Sequence, residues 1–133
     1  MRIICDTNVL IFWADRPGRL TPRVRRILDT KDANRRLAIA DITLWEIAML
    51  FGKGRLNRSA GVTGSEYMGQ IIDALRLELL PITPEIAELS QSTIFRHNDP
   101  EDRLIAATAI HHNAPLVTSD KRLRALKGLE TIW

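Results

Sequence analysis

Cysteine is almost absent from this chain of 133 residues, and the one present, Cys5, cannot close an internal disulfide. Its apolar neighbours in "RIICD" predict a buried, inert thiol, which argues against redox chemistry or a cysteine nucleophile. Histidine is scarce as well. His111 and His112 are adjacent near the end of a helical pattern and so point in different directions, while His97 sits just before Asp99, where a loop role is expected. No apolar run approaches the roughly 20 residues of a membrane span, so no membrane helix is expected. The opening "MRIICDTNVLIFWAD" is broken at Asp6 and lacks the basic, apolar, small-residue order of a signal peptide; a mature cytosolic start and a cytoplasmic protein are expected.

What is present has the make-up of an ordinary globular protein, 45% hydrophobic and 26% charged. A chain of 133 residues buries about two-thirds of its unfolded surface, so a single domain over 1–133 can carry a sizeable core. The net charge of +3 is weak evidence for a polyanionic partner, but its distribution says more. Residues 16–36 hold Arg16, Arg19, Arg23, Arg25, Arg26, Lys31, Arg35 and Arg36 against Asp29 and Asp32, and Lys53, Arg55 and Arg58 follow in a glycine-containing loop. Trp13, Trp45 and Trp133 are expected in the core or an interface, not as platforms for bases.

Short apolar strands alternate with helical patterns. "RIIC", "LAIA", "LLPIT", "PLVTSD" and "LETIW" read as strands. "LTPRVRRILDTK", "TLWEIAMLFGKG", "EYMGQIIDALRLE", "PEIAELSQSTIF", residues 99–112 and "KRLRALKG" read as helices. All-apolar strands between helices imply a parallel sheet covered on both faces. Ligands of such sheets bind outside the carboxyl ends of the strands.

Acids occur at those ends. Asp6 follows "RIIC", Asp120 closes "PLVTSD", Glu46 lies one to two turns into the helix after "LAIA", and Asp102 falls in the first turn of its helix. Each has a local alternative: Asp6 and Asp120 suit helix caps, Thr43 to Glu46 fits a capping box, and Asp102 follows the strong helix start Asp99–Pro100. Capping explains less well why four such junctions all deliver carboxylates.

The fragments "ICDTNVLIFW", "ITLWEIAMLFGKGRL", "HNDPEDRLIAATA" and "LVTSDKRL" together resemble the successive motifs of PIN-domain ribonucleases, especially VapC-type toxins, over nearly the whole chain. The resemblance implies a PIN-like three-layer α/β/α fold with a central, mainly parallel sheet of four to five strands. It implies that Asp6, Glu46, Asp102 and Asp120 hold Mg²⁺ or Mn²⁺ and that the protein cuts single-stranded or loop RNA, leaving 5′-phosphate and 3′-hydroxyl ends. Asn8 and Thr118 match polar positions beside the metals, and with Ser119 are expected to position water. Glu101 stands where an apolar or aromatic residue is common, and Thr43 where serine is frequent.

The resemblance also implies a homodimer and a small cognate antitoxin whose C-terminal segment, often bearing an arginine, blocks the acidic pocket. An all-carboxylate donor set suits hard cations rather than zinc. Arginine and lysine from the two basic segments are expected to hold the RNA backbone. A phosphatase working through an aspartyl phosphate is disfavoured, because Asn8 stands where its Asp-x-Asp pattern needs a second acid. A non-catalytic RNA- or protein-binding module is the other alternative, and such proteins typically lose one or more of the acids.

Overall fold

The computed structural model describes residues 1–57, 59–96 and 98–133, so the expectations for Arg58 and His97 lie outside the described residues. Five strands form one sheet among these residues: β1 (Arg2–Cys5), β2 (Arg36–Ala40), β3 (Glu78–Leu80), β4 (Leu116–Val117) and β5 (Thr131–Ile132). Their order is β3-β2-β1-β4-β5, and every neighbouring pair is parallel. The connecting helices are α1 (Thr7–Asp15), α2 (Pro22–Asp29), α3 (Ile42–Gly52), α4 (Gly64–Leu75), α5 (Pro84–Ser90), α6 (Pro100–His111) and α7 (Lys121–Arg124).

Side chains alternate across a strand, and that period divides the core in two. Ile3, Cys5, Leu37 and Ile39 face one way and pack with Val9 of α1, Val24 of α2, Ile47 of α3 and Ile71 of α4. Ile4, Ala38, Ala40 and Leu116 face the other way and pack with Ile86 of α5, Ile105 of α6 and Leu123 of α7. The result is the expected three-layer arrangement, with the buried apolar strands between two helical layers. Cys5 is buried in the first cluster, and burial pushes its thiol up to about 12, so it is inert as expected.

The chain leaves β1 toward β2 on one side and later adds β4 on the other, so the strand order reverses between β1 and β4. A crevice opens outside the carboxyl ends of strands at such a reversal. Helix α6 runs back along the sheet. Its C-terminal His112 places Nδ1 3.3 Å from Nη1 of Arg2, the first residue of β1, so the α6 N-terminus with Asp102 lies toward the carboxyl edge. Small residues allow that helix to lie close: Ala106, Ala107 and Ala109 share a cluster with Ala38 and Ala40.

Helices α2, α4, α5 and α7 are shorter than the periodicity predicts, and the causes are plain at α4 and α5. Helix α4 ends at Leu75 because Arg76 adopts a left-handed conformation (φ 51°), which turns Leu77 and Glu78 out toward β3. Helix α5 ends at Ser90, whose hydroxyl donates to the Ala87 carbonyl at 2.7 Å, and Ser92 then accepts from the N–H of Ile94. Serine side chains that bond the nearby backbone compete with helix propagation, and the "SQST" run supplies them.

Candidate active site

Asp6 is the first residue beyond β1 and is 5% exposed. Its two oxygens have different tasks. Oδ1 accepts from the Thr7 N–H at 2.8 Å and caps α1, while Oδ2 accepts from the Thr118 hydroxyl at 2.7 Å. Thr118 follows β4 and is itself fully buried; its Oγ1 also accepts from the Asp120 N–H at 3.1 Å. One threonine therefore ties the ends of β1 and β4 together. It orients the first acid and fixes the backbone of the last.

Glu46 reaches the same crevice from α3. Thr7 Oγ1 lies 2.7 Å from Glu46 Oε1 and 3.0 Å from Thr43 Oγ1. With a single proton to give, Thr7 donates to the carboxylate and accepts from Thr43. Thr43 is buried in this chain of bonds, and α3 starts at Asp41 without a side-chain cap, so the capping box read at Thr43 and Glu46 does not form.

Asp99 takes the cap of α6, accepting from the N–H groups of Glu101 at 3.0 Å and Asp102 at 3.2 Å. Asp102 points its carboxylate toward the other acids and, like Asp120, lies 3.5 Å from Nη2 of Arg122. Asp120 also caps α7, accepting from the Arg122 N–H at 2.8 Å. Capping and convergence are thus compatible at Asp6 and Asp120. Each uses one oxygen for its helix, while the other meets Thr118 at Asp6 and Arg122 at Asp120.

The electrostatics show how close these groups are. Burial raises the Asp6 carboxyl above its ordinary value, against the hydrogen bonds from Thr118 and Thr7 and with the charges of Asp120 and Asp99 adding to the rise. Burial pushes Glu46 up to about 7, reinforced by Asp6, Glu101 and Asp99. Asp102 is pushed up to about 7 by burial and then by Asp99, Asp6, Asp120 and Glu46. Asp102 therefore feels each of the three other predicted site acids. Four acids competing for one crevice favour a cation among them.

As they stand, no three histidine, cysteine or acidic side chains among the described residues form a set that could hold a metal ion. The donors are nonetheless the right kind for a hard cation, since all are carboxylate oxygens, and the guanidinium of Arg122 already places a positive charge between Asp102 and Asp120. Of the other expected residues, Ser119 is half-buried between Thr118 and Asp120. Asn8 is exposed and lines a cavity of about 160 Å³ with Ile11, Phe12, Leu50 and Arg55, one step along α1 from the acids. Thr7 and Arg122 did not stand out in the sequence. Their only signals there are adjacency, one residue after Asp6 and two after Asp120.

A parallel α/β sheet with an acidic crevice at its reversal point is the class that fold and site define together. The family model of the PIN domain matches residues 3–129, and the chain belongs to the PIN-domain family. It is 32% identical to Ribonuclease VapC22 of Mycobacterium tuberculosis, with 98% of each chain covered. Its fold is similar to VapBC-1 from nontypeable Haemophilus influenzae (TM-score 0.70, 21% identity, 99% of this chain and 97% of that one). It is similar also to VapBC2 from Rickettsia felis bound to a promoter DNA fragment (TM-score 0.69, 23% identity, 99% and 98%).

Proposed function

We propose that this protein is a metal-dependent endoribonuclease built as one nuclease domain over residues 1–133, acting as the toxin of a toxin–antitoxin pair. The observation that carries the reading is the crevice at the β1/β4 reversal, where burial and neighbouring carboxylates raise the proton affinity of Asp6, Glu46 and Asp102, with the charges of Asp6, Asp120 and Glu46 all felt at Asp102. Kinship with a VapC ribonuclease along nearly the full length supports the substrate class and the pairing with an antitoxin. No helix among the described residues is long and apolar enough to cross a membrane, in keeping with action in the cytoplasm. A homodimer and an antitoxin segment that offers a cation to the acids complete the proposal.

Asp6, Glu46, Asp102 and Asp120 would hold Mg²⁺ or Mn²⁺, directly or through water. Such an ion, when bound, supplies an activated water and neutralises charge on the scissile phosphate. The protein's part is to aim its oxygens. Thr118 fixes the Asp6 carboxylate, Thr7 and Thr43 fix that of Glu46, and Asp99, not Asp102, makes the side-chain cap of α6. Arg122, 3.5 Å from both Asp102 and Asp120, is the cation on this chain that would compensate their charge and could contact a bound phosphate.

The direct test is cleavage of a single-stranded RNA by the purified protein with Mg²⁺ or Mn²⁺ and after exhaustive EDTA treatment. Cleavage should need the ion, leave 5′-phosphate ends and stop on chelation; activity that survives chelation excludes the reading. A narrower expectation concerns Thr7. Thr7→Val keeps the shape but removes the hydroxyl that fixes Glu46, so Mn²⁺ affinity measured by calorimetry should fall about 10–100-fold. Unchanged affinity would show that Thr7 serves only the packing of α1.

A further inference from the structure

The second half of the densest basic segment is not beside the acids. Arg36 opens β2 and pairs in register with Arg2, and the N-terminal amine of Met1 donates to the Asn34 carbonyl at 2.6 Å. Lys31, Arg35 and Arg36 therefore lie at the amino edge of the sheet, opposite the crevice. Arg35 is committed there to the carbonyls of Ile27 and Thr30 at 3.0 Å each, and Arg25 lies 3.9 Å from Asp29. An open groove of about 700 Å³ does lie along this segment, but it includes Asp32 and none of the four acids lines it.

A second groove of similar size, about 720 Å³, adjoins the acids through Arg122. Arg96, Arg122 and Lys127 line it, no acidic residue does among those described, and Thr93, Ile94 and Leu126 make up most of the rest. Ile94 is 41% exposed, a shelf against which a ribose or base can lie. The groove is continuous with the acids through one side chain, because Arg122 both lines it and reaches to 3.5 Å from Asp102 and Asp120. Its volume is in the range of about 300–1,000 Å³ typical of ligand sites.

A row of cations leading away from an acidic centre has the charge pattern of a polyanion held on both sides of its reacting phosphate: acids where an ion must sit, cations where the flanking phosphates must sit. We propose that the groove lined by Arg96, Arg122 and Lys127 is the track for the sugar–phosphate backbone of single-stranded RNA flanking the cleaved bond. This rests on the ribonuclease reading. It assigns the backbone contacts to residues of the α5–α6 connection and the turn after α7, in place of the segment 16–36.

The test compares two double variants with the same charge change, Arg96→Gln/Lys127→Gln in the groove and Arg23→Gln/Arg26→Gln on α2. Each is placed in an Asp6→Asn background so that a fluorescein-labelled single-stranded RNA stays intact with Mg²⁺ present. Binding is read by anisotropy across a salt series, with cleavage by the unmodified protein followed in parallel. The groove variant should bind about tenfold more weakly at 0.1 M salt, and its slope of log K against log salt should fall by roughly 1.4, two single-strand phosphate contacts' worth. The α2 variant should match the background protein. Equal weakening in both variants, or no weakening in the groove variant, overturns the track while cleavage by the unmodified protein leaves the ribonuclease reading standing. Absence of both cleavage and binding in the unmodified protein overturns that reading and the track with it.

Discussion

Asp6→Asn should leave a folded protein that no longer cleaves RNA and no longer arrests growth when expressed in bacteria. The substitution is nearly neutral for the fold because asparagine keeps the oxygen that caps α1 by accepting from the Thr7 N–H, and its amide can face a reoriented Thr118 hydroxyl. It also removes a charge that burial disfavours, so the melting temperature should equal or exceed that of the wild type. What it loses is an anionic ligand to the ion. If that ligand contributes about 4 kcal/mol of charge stabilisation, the rate falls by about 10³-fold. Circular dichroism and a thermal melt establish folding, and gel-resolved RNA cleavage establishes the loss. A folded variant as active and as toxic as the wild type would remove Asp6 from the site.

Asp102→Asn separates a metal ligand from a helix-start acid by the sign of its effect on stability. In the folded, metal-free protein Asp102 keeps its proton up to about pH 7, whereas in the unfolded chain it gives it up near pH 4. Between those values the folded state binds more protons than the unfolded one, so stability falls as pH rises from about 4 to 7 and stays lowered above. Asparagine carries no such penalty. At pH 8 in EDTA the variant should melt above the wild type by an amount on the order of 1 kcal/mol, or a few degrees, after allowing for the screening by Arg122 and solvent. At pH 4 the two should converge. Added Mg²⁺ should raise the wild type more than the variant, since a ligand that prefers the folded state stabilises it by mass action. An acid serving only the helix dipole gives the opposite result: a variant less stable by roughly 0.3–1 kcal/mol at pH 8, with an unchanged Mg²⁺ response.

The fold was legible where the sequence repeats a period or breaks it sharply. "RIIC" and "LAIA" are apolar without interruption because both faces of their strands are covered, and an acid directly after a strand marks the carboxyl edge. The α6 start could be read from Asp99–Pro100 alone. What could not be read were the relations between segments far apart in the chain. Thr7 and Glu46 are separated by 39 residues and Thr118 and Asp6 by 112, so neither pair has a local pattern. Thr43 misled because a threonine three residues before a glutamate looks alike whether the hydroxyl caps a helix or joins a buried hydrogen-bond chain; only the position of Thr7 decides. Composition likewise reports how much charge segment 16–36 carries, whereas topology decides which edge of the sheet receives Lys31, Arg35 and Arg36.

The bond from Thr118 to Asp6 has a temporal meaning during synthesis. It joins residues 112 positions apart, and a ribosome working at about 5–20 residues per second takes roughly 6–20 seconds to cover that distance. Throughout that interval β1 has no β4 beside it, and the Asp6 carboxylate has no hydroxyl to hold it. Until then the crevice lacks its β4 side and the hydroxyl that orients Asp6. The crevice assembles only after nearly the whole polypeptide has been made, so the site is among the last parts of the fold to be completed.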